Sequence, residues 1–385
     1  MYRYSITRAT REDLDALDAL RDDPACSDGA PVRFVGHLRR EVEAAGVAGS
    51  VSIENMPASA ADVVRVLAGD PPPELCSEEC AAIDAYRDAH AWTLAHVREP
   101  MFAYREAFVL AVQRRLMQCE PAAAVYRTSQ VYLGDTSSGG FFYEPPPWHL
   151  LPGLVRELCD WANEAEAHPA VRAALLHVRL AGIHPFPDGN GRLARIFAAA
   201  AMAHGGFTGL EFMSLEQWWG AHRGDYYRAF LTLGTSWDPD TDVTKFVATH
   251  VRAQRLQGQS LRRSALVECA VFEALEELLA EMPDIPSRSI EAVHEVVFGR
   301  ALTVPLYGAL AGIPTVEARR DLATLEGARL LESCEAGGER RFSVTRELVG
   351  VLGSHLDIDM GETRGVPASR LSRVLVASVA ERLNA

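Results

Sequence analysis

Two helices with an interruption between them, from Pro169 to Arg195, constrain the fold of this chain more than any other feature. Residues 169–183 (PAVRAALLHVRLAGI) are strongly apolar and read as one helix, and helical sequence resumes by Leu193. Between these segments, two prolines and two glycines interrupt the helical pattern. The sequence therefore predicts two helices joined by a short, sharply bent loop that begins at His184.

The residues of this loop suit the binding of an anion. It reads HPFPDGNGRLAR over residues 184–195. Its glycines, Gly189 and Gly191, tolerate positive φ and let the backbone approach a ligand closely. Free N–H groups and the dipole at the start of the following helix favour a phosphate. Arg192 and Arg195 lie three residues apart on that helix, and two arginines suit a polyphosphate better than a single carboxylate.

Three other side chains of the loop have roles that follow from their chemistry. Asp188 can hold a magnesium ion that bridges phosphates. Histidine titrates near neutral pH, so His184 can accept a proton from an attacking hydroxyl. Phe186 is expected to pack in the core and fix the loop. Each residue alone also has a purely structural interpretation, but a base, a metal carboxylate, an anion site and two arginines rarely coincide within twelve residues.

This loop resembles the signature of the Fic (filamentation induced by cAMP) family, H-P-F-x-D-G-N-G-R-x-x-R, with every specified position filled. Enzymes of that family transfer AMP from ATP to a protein hydroxyl. The resemblance implies that His184 is the general base and that Asp188 holds Mg²⁺ or Mn²⁺. It also assigns the α- and β-phosphates to Gly189, Asn190 and Gly191, the β-phosphate to Arg192 and the γ-phosphate to Arg195.

Two neighbouring segments extend the resemblance. Residues 126–143 predict a β-hairpin, which lies where the family has a flap that holds a target segment as an added strand. An ordinary surface hairpin is the alternative. Residues 225–229 resemble the segment that packs near adenine, so Tyr226 or Tyr227 would line that pocket unless both are core aromatics.

Residues 50–55 (SVSIEN) fit a second motif of the family, [S/T]-x-x-x-E-[G/N], which is inhibitory. The motif positions are Ser50, Glu54 and Asn55, and the resemblance implies that Glu54 pairs with Arg195 in the space that the γ-phosphate needs. The simpler alternative is a carboxylate that caps a helix. Because Pro57 disfavours helix in the residue before it, the helix is expected to end at or before Met56.

The whole chain is expected to be mainly α-helical, with a Fic-fold helical core, a β-hairpin flap and a C-terminal winged helix-turn-helix domain. The last is predicted because a helix, a turn, a second helix and a Gly-tipped hairpin follow in that order. The expected divisions are an N-terminal helical region (1–98), the catalytic core (99–256), a helical linker (257–285), the winged helix (286–347) and a C-terminal tail (348–385).

Charge limits what the winged helix can bind. Over the whole chain, 52 acidic residues outnumber 38 basic ones, for a net charge of −14. Residues 286–347 contain eight arginines and nine acidic residues, so their net charge is 8 − 9 = −1. Arg319 and Arg320 could meet DNA phosphates, but DNA-binding modules are usually clearly basic. Docking of a protein, or formation of a homodimer, is therefore favoured over DNA binding.

No targeting or membrane-spanning segment is recognisable. The first twenty residues lack the apolar core of a signal peptide, and apolar runs such as IFAAAAMA are too short to span a bilayer. Seven scattered cysteines without a C-x-x-C pair give no indication of a structural zinc or redox motif. We expect a cytoplasmic protein without membrane contact.

The sequence thus predicts a protein adenylyltransferase that moves AMP from ATP to a Ser, Thr or Tyr hydroxyl of a target protein and is restrained by Glu54. One alternative is a hydrolase on the same scaffold that removes AMP, in which Glu54 orients a water molecule. The other is a transcription regulator with a non-catalytic Fic core, against which the intact His184 argues.

Overall fold

The computed structural model describes residues 2–23, 32–118, 124–134, 142–300, 302–336, 338–361 and 365–384. The chain divides into two compact units. The first comprises Met1–Pro24, Val42–Val63 and Pro73–Ser260, and the second comprises Ala25–Glu41, Val64–Pro72 and Leu261–Ala385. Among the described residues, no helix combines the length and apolar character needed to cross a bilayer.

Helices dominate the structure up to residue 280. They are α1 (Arg8–Asp22), α2 (Val32–Ile53), α3 (Ala60–Leu67), α4 (Ser77–His96), α5 (Glu106–Leu116), α6 (Leu151–Glu164), α7 (Pro169–Ile183), α8 (Asn190–His204), α9 (Leu215–Ala221), α10 (Arg223–Ala229) and α11 (Thr244–Ala280). Two short strands, β1 (Leu133–Gly134) and β2 (Phe142–Tyr143), lie between α5 and α6. Helices α2, α3 and α11 contribute residues to both units.

The centre of the first unit is the pair α7 and α8, which pack along each other and are almost completely buried. Pro169 begins α7, where its missing N–H costs no hydrogen bond, and the ring of His168 accepts a hydrogen bond from the N–H of Ala170 at 3.1 Å. A Cβ on Gly205 would lie 2.2 Å from Pro169, so the end of α8 passes directly over the start of α7. The helix predicted over residues 169–183 is confirmed, and the pair holds both ends of the loop between its helices.

Two helices near the expected ends of the catalytic core differ in extent from the predicted divisions. Helix α5 begins at Glu106, directly after the extended residue Arg105, with φ −143°. Helix α11 begins at Thr244 inside the expected core and continues through the predicted linker over 37 residues. This stretch has no proline and a single glycine, Gly258, so nothing in it ends a helix.

The hairpin predicted at residues 126–143 forms only at its end. Strands β1 and β2 are antiparallel, with Leu133 opposite Tyr143. Its turn, residues 135–141, lies outside the described residues. Residues 126–132 form no strand, because Arg127 ties them to the loop: its N–H donates to Pro185 O at 2.9 Å, and its Nε donates to His184 O at 2.9 Å.

After α11, the second unit contains α12 (Ile290–Val297), β3 (Leu302–Thr303), α13 (Val304–Ala311), α14 (Thr315–Gly327), β4 (Leu331–Ala336), β5 (Glu339–Val344), α15 (Arg346–His355) and α16 (Ala368–Asn384). The strands form one antiparallel sheet in the order β3-β5-β4. Buried Asp321 on α14 accepts hydrogen bonds from Arg288 at 2.7 and 3.2 Å and from Tyr307 OH at 2.9 Å, which fix α14 in place. The expected C-terminal tail is largely helical, as α15 and α16.

Candidate active site

The loop between α7 and α8 is bent by a left-handed residue at each end. His184 follows α7 with φ 49° and ψ 59°, and its N–H donates to Leu180 O at 3.0 Å. Gly189 precedes α8 with φ 80°. Only glycine adopts such a φ without strain, so a histidine there is an uncommon backbone state imposed by its surroundings. The two turns bring His184 back beside the start of α8.

Inside the bend, Asn190 and Phe186 hold the loop together. The Asn190 side chain accepts a hydrogen bond from Phe186 N–H at 2.9 Å and donates one to Phe186 O at 2.8 Å. Both residues are buried, and the Phe186 ring stacks on Tyr126 with centroids 5.4 Å apart. Because the side-chain amide is buried and tied to Phe186, the backbone N–H is the group of Asn190 best placed to meet a phosphate.

The start of α8 is closely packed on its outer side. A Cβ on Gly189 would lie 3.1 Å from the sulfur of Met117 and 3.3 Å from Nε2 of Gln113. That Nε2 also donates to Asp188 O at 2.9 Å, so Gln113 fixes the peptide ahead of the glycine. A Cβ on Gly191 would lie 2.8 Å from Oε1 of Glu54. Glycine is required at position 189 by its φ of 80°, whereas at position 191 it leaves room for the Glu54 carboxylate.

His184 is set up to act as a base. Its Nδ1 lies 3.4 Å from Ala181 O, and because a carbonyl only accepts, this contact favours the tautomer with a proton on Nδ1 and a free lone pair on Nε2. Burial lowers the pKa of His184 to about 4, with the nearby Arg127 acting in the same direction. The imidazole is therefore neutral at physiological pH and ready to accept a proton.

Asp188 and Arg192, the residues expected to bind metal and phosphate, contact each other. Nη2 of Arg192 lies 3.0 Å from Oδ2 of Asp188. The Asp188 side chain is 68% exposed, whereas that of Arg192 is mostly buried. An exposed carboxylate beside an anion site supplies the oxygen ligand that Mg²⁺ prefers.

The buried guanidinium of Arg195 donates hydrogen bonds from all of its nitrogens. Its side chain is 1% exposed; Nε donates to Ser50 Oγ at 2.9 Å, Nη1 to Tyr226 OH at 3.2 Å, and Nη2 to Glu54 Oε1 at 2.8 Å and Ser50 O at 3.2 Å. Burial alone would lower the pKa of Arg195, but Tyr226 and Glu54 hold it above its usual value. The guanidinium is charged, and all three of its nitrogens donate hydrogen bonds.

Behind Arg195 lies a chain of buried polar side chains that the sequence did not indicate. Tyr226 OH is 3.2 Å from Nε2 of His177, whose Nδ1 is 3.1 Å from Nε2 of His250. Burial lowers the pKa of His250 to about 3 and that of His177 well below its usual value, so both rings are neutral. Tyr226 is thus a buried support for Arg195, while half-exposed Tyr227 donates to Ile53 O at 2.7 Å.

The segment that carries Glu54 is seated by contacts between backbones. A Cβ on Gly49 would lie 2.3 Å from Glu216 O, and one on Gly220 would lie 2.8 Å from the Cα of Gly49. Helix α2 ends at Ile53, before Met56 as predicted. Asn55 then adopts φ 65°, a left-handed state that asparagine and glycine tolerate best, which explains why the motif specifies those two residues.

The result is that a carboxylate lies at the start of α8, where the sequence predicts an anion site. Glu54 Oε1 lies against Gly191 in the first turn of α8 and pairs with Arg195, although its side chain is still 43% exposed. The structure therefore brings together Ser50, Glu54, Arg195 and Tyr226, which are far apart in the sequence. Arg127, Gln113 and His177 join the site without a sequence motif, since their contacts are to backbone atoms or to distant side chains.

Comparison with known proteins agrees with this geometry. Residues 103–202 match the model of the Fic/DOC family. The protein described as probable protein adenylyltransferase aq_aa38, from Aquifex aeolicus, is 30% identical over 119 residues, which are 31% of this chain and 36% of that protein. Protein adenylyltransferase fic-1 from Caenorhabditis elegans is 35% identical over 104 residues, 26% of this chain and 19% of that one. The chain thus matches about a third or less of the length of these relatives.

Solved structures show the same fold. A Fic family protein from Desulfovibrio desulfuricans G20 superposes with a TM-score of 0.58 at 20% identity, covering 90% of this chain and 98% of that one. Residues 134–508 of C. elegans Fic-1 give a TM-score of 0.52 at 24% identity, covering 66% and 71% of the two chains. At these identities the likeness shows the fold alone. The mainly helical fold and the loop at residues 184–195 thus accompany a match to the Fic/DOC family model over residues 103–202.

Proposed function

We propose that this protein is an adenylyltransferase that transfers AMP from ATP to a hydroxyl group of a target protein, and that the conformation described here is inhibited. The observation that carries the proposal is the carboxylate of Glu54 on Arg195 at the start of α8. A helix N-terminus and a buried arginine together bind this carboxylate. The same two features suit a phosphate, which carries more negative charge. The relatives named above are described as adenylyltransferases, which agrees with this proposal.

In this proposal the start of α8 binds the phosphates of ATP. The backbone N–H groups of Gly189, Asn190 and Gly191 and the helix dipole face the α- and β-phosphates. Arg192 neutralises the β-phosphate, and Arg195 takes the γ-phosphate once Glu54 has left. Asp188 would hold Mg²⁺, which offsets phosphate charge when bound.

The proposed chemistry is an in-line displacement at phosphorus. The hydroxyl oxygen of the target bonds to the α-phosphorus, and its proton passes to Nε2 of His184. The bond from the α-phosphorus to the bridging oxygen breaks, and pyrophosphate leaves. Positioning and charge neutralisation do most of the work in such a reaction.

Inhibition follows because Arg195 cannot serve two partners. Its nitrogens already donate to Ser50, Glu54 and Tyr226, so a γ-phosphate must displace the Glu54 carboxylate. The two occupants exclude each other, and a change that weakens Glu54 shifts the population towards the ATP-bound state.

We also propose that residues 286–347 form a winged helix. The order α12, β3, α13, α14, β4, β5, with β5 in the middle of its sheet, supports this. Arg319 and Arg320 are exposed on α14, but the net charge of 8 − 9 = −1 over this range favours docking of a protein or a second copy over DNA.

The test of the proposed function compares the chain with Glu54→Gln, using ATP labelled on the α-phosphate and Mg²⁺, with the protein itself and a cell lysate as targets. We expect label on protein with Glu54→Gln and little with the unchanged chain. Glu78→Gln, which removes an exposed carboxylate elsewhere, is the matched control and is expected to behave like the unchanged chain. Failure of Glu54→Gln to transfer label while it binds ATP would contradict the proposal. Release of AMP from pre-modified protein would identify the hydrolase instead.

A further inference from the structure

A second group of buried ionisable side chains lies in the second unit, on three helices. His37 comes from α2, Glu268 from α11 and His294 from α12. Their exposed fractions are 0%, 6% and 0%, and the aromatic rings of Phe272 and Phe298 contact His294. Histidine and glutamate are rarely buried this completely unless they are paired or bind a metal.

The polar atoms of these three residues are unusual in lacking hydrogen-bond partners. Within the described residues, the ring nitrogens of His37 and His294 and Oε2 of Glu268 are buried without a hydrogen bond of ordinary length, and the carboxylates nearest the ring of His37 lie 3.5–3.8 Å away. Buried polar groups in folded proteins nearly always have a close partner, because the desolvation penalty is otherwise uncompensated. Loosely contacted polar atoms gathered in one buried place suit a bound ion.

The three side chains are arranged around a common point. One ligand atom from each lies within 4.8 Å of the other two, and Nε2 of His294 is 4.0 Å from Oε2 of Glu268. A tetrahedral ion with bonds of about 2.0–2.1 Å needs donors roughly 3.3 Å apart. Side-chain adjustments of less than about 1 Å would meet that requirement.

Charge also points to a cation. Four carboxylates meet here, those of Glu41, Glu268, Glu291 and Glu295, and two arginines face them. Arg300 contacts Glu41, lies 2.9 Å from Glu295 and 3.2 Å from Glu268, while Arg40 lies 3.0 Å from Glu291. Two arginine side chains therefore face four carboxyl groups.

A second group of candidate ligands lies next to the first, but the side chain of an arginine already occupies the space between its carboxylates. His37, Glu41 and Glu295 also bring ligand atoms within 4.8 Å of one another. However, Oε1 of both carboxylates contacts Nη1 of Arg300, so the guanidinium takes the place of an ion there. Glu41 and Glu295 lie 3.5 and 3.7 Å from Nε2 of His37, where outer carboxylates orient a histidine ligand.

We propose that His37, Glu268 and His294 bind one divalent transition-metal ion, Zn²⁺, that links α2, α11 and α12 within the second unit. Two imidazoles and one carboxylate suit zinc, whereas Mg²⁺ and Ca²⁺ prefer oxygen ligands alone. The three protein ligands leave a fourth coordination position for a water molecule, and because they come from three helices the ion would hold these helices together. The proposal does not depend on adenylyl transfer.

The test uses the full chain without a histidine tag, expressed with added zinc, and measures metal content by mass spectrometry. We expect about one zinc per chain for a site of this kind. Treatment with a chelator is expected to lower the melting temperature, and added ZnCl₂, but not MgCl₂, is expected to restore it. Absence of zinc from folded protein, or restoration by MgCl₂ alone, would overturn the proposal.

Variants locate the ion. His294→Gln and Glu268→Gln are expected to weaken zinc binding by more than about 100-fold, beyond the loss typical of an outer residue. His355→Gln, which alters an exposed histidine of the same unit, is the matched control and is expected to retain full zinc binding. Equal zinc content in all three variants would show adventitious binding and refute the site. If a ligand variant does not fold, the absorption spectrum of Co²⁺ bound to the unchanged chain decides: visible tetrahedral bands support the site, and their absence contradicts it.

Discussion

Two buried groups of ionisable side chains, one in each unit, differ in how completely their charges and hydrogen bonds are matched. In the first unit, the three nitrogens of Arg195 all donate, and its charge faces Glu54. In the second, four carboxyl groups face two arginines, and the described ring nitrogens of His37 and His294 lack hydrogen bonds of ordinary length. The matched group fixes one state of the molecule. The unmatched group requires a component from outside the chain.

The largest effect is expected from replacing His184, the proposed general base, which belongs to neither of these two groups. His184→Ala, made together with Glu54→Gln, should lower the rate of AMP transfer by about 10²–10⁴-fold, because no other side chain would take the proton of the hydroxyl. Binding of ATP should change little. The rate of label incorporation and the Kd for ATP measure the two effects separately, and a rate unaffected by the substitution would remove His184 from the mechanism.

The next effect tests the matched group. Glu54→Gln should tighten ATP binding by about tenfold or more, within the range of ordinary coupling between two sites. It should also lower stability without ligand, because the charge of Arg195 stays buried with a weaker partner. Thermal unfolding with and without ATP checks both, and the ATP-dependent rise in Tm should exceed that of Glu78→Gln.

Neutralising a carboxylate of the unmatched group should change the stability of the ligand-free protein in the opposite direction from Glu54→Gln. In chelator-treated protein, Glu268→Gln removes one of the excess negative charges and should raise stability by about 1 kcal/mol or leave it unchanged. With zinc present, the same substitution removes a ligand and should destabilise. Chemical unfolding in both conditions gives the comparison, and destabilisation of equal size in both would argue against a bound cation.

A smaller effect concerns the residue after Glu54. Asn55→Ala should cost about 1–2 kcal/mol, because alanine is strained at φ 65°. Asn55→Gly should cost less, since glycine tolerates this φ, although it too loses the hydrogen bond from Arg223. Both should weaken inhibition in proportion to their cost, as measured by label incorporation, and an alanine variant as stable as the glycine variant would contradict the reason given for this motif position.

The smallest effect should be that of pH near neutrality. The pKa of His184 is about 4 in the folded chain, so transfer by Glu54→Gln should be nearly constant from pH 6 to 8 and fall only as pH approaches about 4. Because burial depresses this pKa below the value in unfolded chains, the folded state binds fewer protons, and stability should also be lost as pH falls from about 6.5 towards 4. A rate profile with a midpoint near 6.5 would show that His184 is solvated.

The sequence best predicts those parts of the structure whose defining residues are adjacent in the chain. Helix α7 begins at a proline and ends before His184, as its pattern indicates, and the loop is recognisable because its ligands are adjacent in the chain. The predicted start of the hairpin at residue 126 was wrong, because Arg127 makes contacts that no local pattern reveals. Likewise, His37, Glu268 and His294 are more than two hundred residues apart at their extremes, so no spacing rule joins them.

The contact between Gly49 and Gly220 has a consequence for how the proposed inhibition would be relieved. Where two backbones touch, there are no side chains that can readjust to a small shift, so the fit is lost as soon as the helix moves by a fraction of an ångström. We therefore expect the end of α2 either to keep this backbone contact or to lose it completely. In the proposed inhibition, an activator would detach the helix end as a unit or move the Glu54 side chain alone.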